Sequence, residues 1–124
     1  MIVRLTRRAL GMMAGWALGA ATIVAAAASA DIAFIRNGPF EVCLNGEYTA
    51  WLRHQAELLV SEDSRARSLN DAAVAVWMAA TLDDCRKKGE ANPGSVDSFR
   101  RHMARWGDHV FDHAESIRRR GQSD

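Results

Sequence analysis

The sequence predicts an all-α protein: a three-helix bundle whose first two helices form an antiparallel hairpin stapled by one disulfide. Three observations carry this. Apolar residues recur in steps of three and four through Val96, Phe99, Met103, Trp106, Val110 and Ile117, the period of one helix face. Residues 72–80 are apolar without a break and follow residues that favour helix starts, which predicts a buried helix. The two cysteines, Cys43 and Cys85, lie equally far from residue 64, as facing residues of a helical hairpin do.

The chain opens with an export-type segment. Arg4, Arg7 and Arg8 form a basic start, residues 9–30 carry no charge, and Ala28-Ser29-Ala30 is a small-x-small site before Asp31. This is the order of a secretory signal peptide. Residues 1–30 are therefore read as a signal peptide and 31–124 as one small helical domain. An uncharged run of that length also suits a retained anchor, so a membrane association is expected only if the signal stays uncleaved. Thr6-Arg7-Arg8-Ala9-Leu10 resembles the twin-arginine export pattern, and both that route and the general secretory route fit the segment.

Three helices are expected over about 39–61, 69–88 and 95–120. In the first, Asn37-Gly38-Pro39 supplies a turn and a proline for the first helical position, with Glu41 in the first turn. Phe40, Leu44, Tyr48, Trp51, Leu52, Leu58 and Leu59 give the apolar face. Gly46 costs about 1 kcal/mol there against Ala, and Asn45 offers an alternative start. Ser61 to Arg65 reads as a polar loop. Ser68 or Asn70 caps the second helix, and Asp71 suits its first turn. Asp83 and Asp84 stand four before Lys87 and Lys88, a solvated last turn, and Gly89 is a stop. The second helix is expected between the other two, with Trp77 largely buried. Asn92-Pro93-Gly94 marks a linker, and Ser95 is the expected cap of the third helix. Arg118-Arg119-Arg120 complements that helix's negative end.

Charge and cysteine count narrow the function. The chain carries 16 basic and 15 acidic residues. Taking away the leader's three arginines leaves a slight excess of acid, with the two signs interleaved, which argues against a nucleic-acid partner. An even pair of cysteines in a small exported chain reads as a structural disulfide, Cys43 with Cys85. No Cys-x-x-Cys, no glycine-rich phosphate loop and no Ser-His-Asp arrangement at a strained turn is present. No catalytic residue and no cofactor is assigned, and the chain is read as a binder rather than an enzyme.

Two clusters are candidate sites. Tyr48, Trp51, Trp77 and Trp106 place one tryptophan near the middle of each helix, as core packing or as the lining of a pocket for a small apolar ligand. His102, His109 and His113 form one stripe on the third helix, with His54 or Asp112 as further ligand types. It suits half-buried packing, a metal site or a pH-responsive element.

The plan resembles two families of small periplasmic helical proteins. Two cysteines about forty residues apart, with Cys85-Arg86-Lys87 before Asn92-Pro93 and Ser95-Val96, resemble the acid-stress chaperones of the HdeA type, though with a longer spacing. Leu44-Asn45-x-x-Tyr48, with Trp77 eight before Cys85, resembles the lysozyme inhibitors of the LprI type. Met78 to Leu82 lacks the basic and aromatic residues of that second family. Each resemblance covers less than half of residues 31–124, and no binding residue is carried over. The expected function is that of an exported periplasmic binding or accessory protein. Its partner would be a protein of the envelope, in a stress, inhibitor or envelope role. A ligand or metal binder and an acid-stress chaperone are the alternatives.

Overall fold

Pro39 stands at the first position of a 22-residue helix, α1 (Pro39–Val60), in a computed structural model that describes residues 31–123. The expected leader lies outside the described residues. A short 3-10 turn (Ser64–Ser68) follows, then α2 (Asp71–Arg86), α3 (Pro93–Met103) and α4 (Trp106–Ser123). The described residues contain four α-helices and no strand. None of these helices is long and apolar enough to cross a membrane.

α1 is the central element. It packs against both α2 and α4, and it buries Phe40, Leu44, Tyr48, Trp51, Leu52, Ala56 and Leu58. These fall mostly at steps of three and four, so one broad stripe serves two neighbours. Gly46 is accommodated inside the helix, facing open space. Asn45 is no cap: its side chain brackets the backbone of Ile32, accepting from the N–H at 2.8 Å and donating to the carbonyl at 3.3 Å.

The expectation that α2 lies between its neighbours is corrected. Only Val74, Thr81, Leu82 and Cys85 are buried along it, with Trp77 and Met78 half-buried. Ala72, Ala73, Ala75, Val76, Ala79 and Ala80 are exposed, Val76 at 71 %. An unbroken apolar run marks a helix that can be covered all round, not one that is. Alanine contributes little burial on any side, so the larger residues of α1 take the centre. Asn70 caps α2, accepting from Ala73 N–H at 2.9 Å. Cys43 of α1 and Cys85 of α2 form the expected disulfide, with Cα atoms 5.5 Å apart. Gly89, beyond the end of α2, lies against α1: a Cβ there would stand 3.0 Å from Pro39 Cβ and 3.2 Å from Phe40 N.

The third expected helix is two helices. It starts earlier than the expected Ser95 cap, because Asn92 accepts from both Gly94 and Ser95 N–H and Pro93 needs no partner. It breaks at Ala104–Arg105, between α3 and α4. Arg105 N–H closes onto the His102 carbonyl at 3.2 Å, and the next regular bond runs from His109 N–H to Arg105 O. The apolar period survives the break. Val96, Phe99 and Met103 of α3 and Val110 of α4 all reach the core.

Candidate functional site

Five of the sequence candidates, Tyr48, Trp51, Trp77, His102 and His109, join with Phe99 in one chain of rings that touches all four helices. Tyr48 and Trp51 share a face of α1, with ring centroids 6.2 Å apart. Trp51 stacks on Trp77 of α2 at 4.9 Å with planes 25° apart. Trp77 meets Phe99 of α3 at 6.1 Å. On its other side Tyr48 meets His102 edge-on at 4.8 Å and His109 at 6.5 Å. Trp106 is placed apart: its Nε1 donates to Asp71 Oδ1 at 2.7 Å and so ties the start of α4 to the start of α2.

His102 and His109 are stacked, with centroids 4.1 Å apart and planes within 11°. Seven residues of unbroken helix rise about 10.5 Å. The break at Ala104–Arg105 is what folds the two imidazoles onto each other. His109 Nε2 lies 3.0 Å from the His102 carbonyl oxygen. A carbonyl only accepts, so this nitrogen carries the proton and the tautomer of His109 is assigned. The ring thereby adds a second hydrogen bond to a carbonyl that already accepts from Arg105 N–H at the end of α3.

His102 sits differently. Its Nε2 is buried without a hydrogen-bond partner, and so is the hydroxyl of Tyr48 beside it. Burial, and then the charge of His109, hold the His102 pKa down at about 4. Burial pushes the Tyr48 phenol well above its ordinary range. His113 stays outside the stacked pair. Burial and then Arg120 lower its pKa, with Glu57 acting in the opposite sense and Arg53 in the same. Among the described residues no three His, Cys, Asp or Glu side chains are grouped so as to hold a metal ion.

A second constellation was not singled out in the sequence. Glu41 is fully buried. Its Oε2 accepts from Ser95 Oγ of α3 and from Arg36 Nε, the latter at 3.1 Å. Arg36 also donates to the Glu90 carbonyl at 3.1 Å. Burial pushes the Glu41 pKa up, but the hydrogen bonds from Ser95 and Arg36 outweigh it and hold the carboxyl below its usual value. Glu41 reads in sequence as a first-turn acid and Ser95 as a cap. The available signal is spacing, since Glu41, Leu44 and Tyr48 fall on one stripe of α1.

α3 is thus fastened to α1 at both ends, by Ser95 to Glu41 and by His102 against Tyr48. An open groove lies elsewhere, lined by Arg86, Ala91, Pro93, Val96, Asp97 and Arg100. Comparison of the chain with protein-family models, with curated proteins and with solved structures finds no match.

Proposed function

We propose that the protein is an exported periplasmic accessory domain that acts by binding another protein through the outer face of α2. The observation that carries this reading is the exposure of Ala72, Ala75, Val76 and Ala79, a contiguous apolar face of helical spacing. Exposed apolar surface of this kind, rimmed by charge, marks interaction sites. Asp71 and the pairs Asp83–Arg86 and Asp84–Lys87 supply that rim. Small side chains let a second helix come close, so the fitting partner is a helix with large apolar residues. Cys43 with Cys85 and Trp51 with Trp77 have the same midpoint, residue 64. That pairing supports an antiparallel α1–α2 hairpin, which presents the face on a braced support.

A photo-crosslinking side chain at position 76, in protein exported by cells, is the test. The expected product is an adduct with a different protein of the envelope, lost in Ala72→Glu and Ala79→Glu variants that keep the wild-type melting temperature. An adduct of the chain with itself makes the face a self-association surface. No adduct at all removes the binding reading.

Export itself is checked by mass spectrometry. The mature N-terminus is expected at Asp31, within a residue or two, and an intact Met1 in the membrane fraction replaces the signal by an anchor.

A further inference from the structure

The dipeptide Asn-Gly occurs twice in the chain, at Asn37-Gly38 and at Asn45-Gly46. A glycine carries no Cβ, so its backbone nitrogen can reach the carboxamide of the asparagine before it without a clash. The fold treats the two copies in opposite ways.

Asn45 is protected twice. Gly46 N–H belongs to the regular ladder of α1, which aims it along the helix axis and away from the Asn45 side chain. The Asn45 carboxamide is also engaged at both ends, accepting from Ile32 N–H at 2.8 Å and donating to the Ile32 carbonyl at 3.3 Å. Asn37 has neither protection. It is exposed, in the irregular backbone that joins an N-terminal arm, residues 31–36, to α1. Among the described residues no hydrogen bond holds its side chain or the Gly38 N–H. Gly38 is favoured there for a separate reason. A Cβ at 38 would stand 2.9 Å from Glu41 Oε1, a buried oxygen without a hydrogen-bond partner. The packing that buries Glu41 thus selects the glycine that leaves Asn37 open to attack. The attacking nitrogen passes through an anion, which the positive start of α1 favours.

We propose that Asn37 is a site of spontaneous covalent conversion, and that the conversion loosens the arm. Gly38 N bonds to Asn37 Cγ and the bond from Cγ to the amide nitrogen breaks. That nitrogen takes up the Gly38 proton and leaves as ammonia. Water, the only co-reactant, then opens the cyclic imide at either carbonyl. One opening gives an aspartyl residue. The other gives an isoaspartyl residue, whose main chain runs through the side chain and is longer by one atom. The Arg36–Glu41 bond at 3.1 Å closes a span that contains this peptide link. The isoaspartyl form lengthens the span, and both products set a carboxylate beside Arg36 that competes with Glu41 for it.

The purified full chain, disulfide intact, is incubated in warm, mildly alkaline heavy-oxygen water and mapped by mass spectrometry. Expected are one heavy oxygen in the peptide that holds Asn37, isoaspartate in excess of aspartate there, and conversion at Asn45 at least about a hundredfold slower, since α1 must open locally first. The urea-unfolded chain gives the unshielded rate of each site. Aspartate without isoaspartate, or a rate at Asn37 that drops on folding as far as that at Asn45, overturns the proposal. The converted protein, separated from its parent by ion exchange, reports on the arm. Hydrogen exchange of residues 32–36 is expected to be about tenfold faster than in the parent, as for loss of one charge-assisted hydrogen bond, with α2 and α4 unchanged. Equal exchange in the two forms overturns the loosening. Asn37→Gln keeps a carboxamide but reacts far more slowly through a larger ring, and is expected to abolish both effects. An arm that loosens on incubation of Asn37→Gln as it does in wild type places the cause elsewhere and sinks the assignment.

Discussion

The double variant Cys43→Ala, Cys85→Ala is expected to lose about 4 kcal/mol of stability while keeping its four helices at low temperature. The bond closes a span of 42 residues, and the chain-entropy model gives about that value for a loop of this length. For a domain near 100 residues each kcal/mol moves the melting temperature by about 4–8 °C. The expected fall is then about 15–30 °C, a large share of the margin such domains have. The helices persist because other contacts join them: Trp51 on Trp77, Leu44 and Leu82 in the common core, and Asp71 with Trp106. Thermal melts followed by circular dichroism, oxidised and reduced, measure the difference. A fall below about 1 kcal/mol would mean that the reduced unfolded chain already keeps the two cysteine-bearing segments close.

Glu41→Ala is expected to cost about 3 kcal/mol, the second-largest effect of a localised change. It removes charge-assisted hydrogen bonds from Ser95 and Arg36 and leaves a buried hydroxyl without its acceptor. Glu41→Gln separates shape from charge. It keeps an acceptor for Ser95 and loses the attraction to Arg36, so its cost at pH 7 is expected to be roughly half as large. The pH dependence has a definite sign. The Glu41 carboxyl is held below its ordinary value in the fold, so its contribution is complete above about pH 4.5 and is lost as pH falls through the folded value. Denaturant midpoints at pH 7 and pH 3 should therefore converge for wild type and Glu41→Gln as pH drops. A gap that stays constant across that range would assign the residue a purely steric role.

Helix positions were legible because they follow from short-range chemistry. Asn70, Pro39 and the alternation of apolar residues along α1 and α4 act over one or two turns, and sequence carries them directly. The disulfide was legible from the even cysteine count and the spacing together. Which helix sits in the middle was not, because it depends on competition between faces. α2 has the longer apolar run, but α1 has Phe40, Leu44, Tyr48 and Trp51 on one stripe, and bulk decides. The break at Ala104–Arg105 was hidden for a related reason. Arg100 to Gly107 contains no proline, and the apolar period passes through it unchanged. At the break the His102 carbonyl accepts from Arg105 N–H and also from a ring seven residues away, His109. The histidine stripe was therefore visible as a stripe, but not as a stacked pair.

The Asp63–Arg65 contact carries little by comparison. Its ion pair at 2.8 Å and the cap on Arg65 N–H hold Asp63 down to about 2, yet Arg65 is largely in water, where such pairs add little to stability.

The parallel stack of Trp51 on Trp77 gives the molecule its own spectroscopic label. Two indoles 4.9 Å apart with nearly parallel planes couple their electronic transitions, so their absorption splits and their circular dichroism carries a paired positive and negative band. The signal arises only while the two rings are together, and neither ring belongs to α3 or α4. Optical observation of that couplet follows the union of α1 and α2 alone, in real time and without an added dye, while the rest of the chain folds, opens or meets a partner.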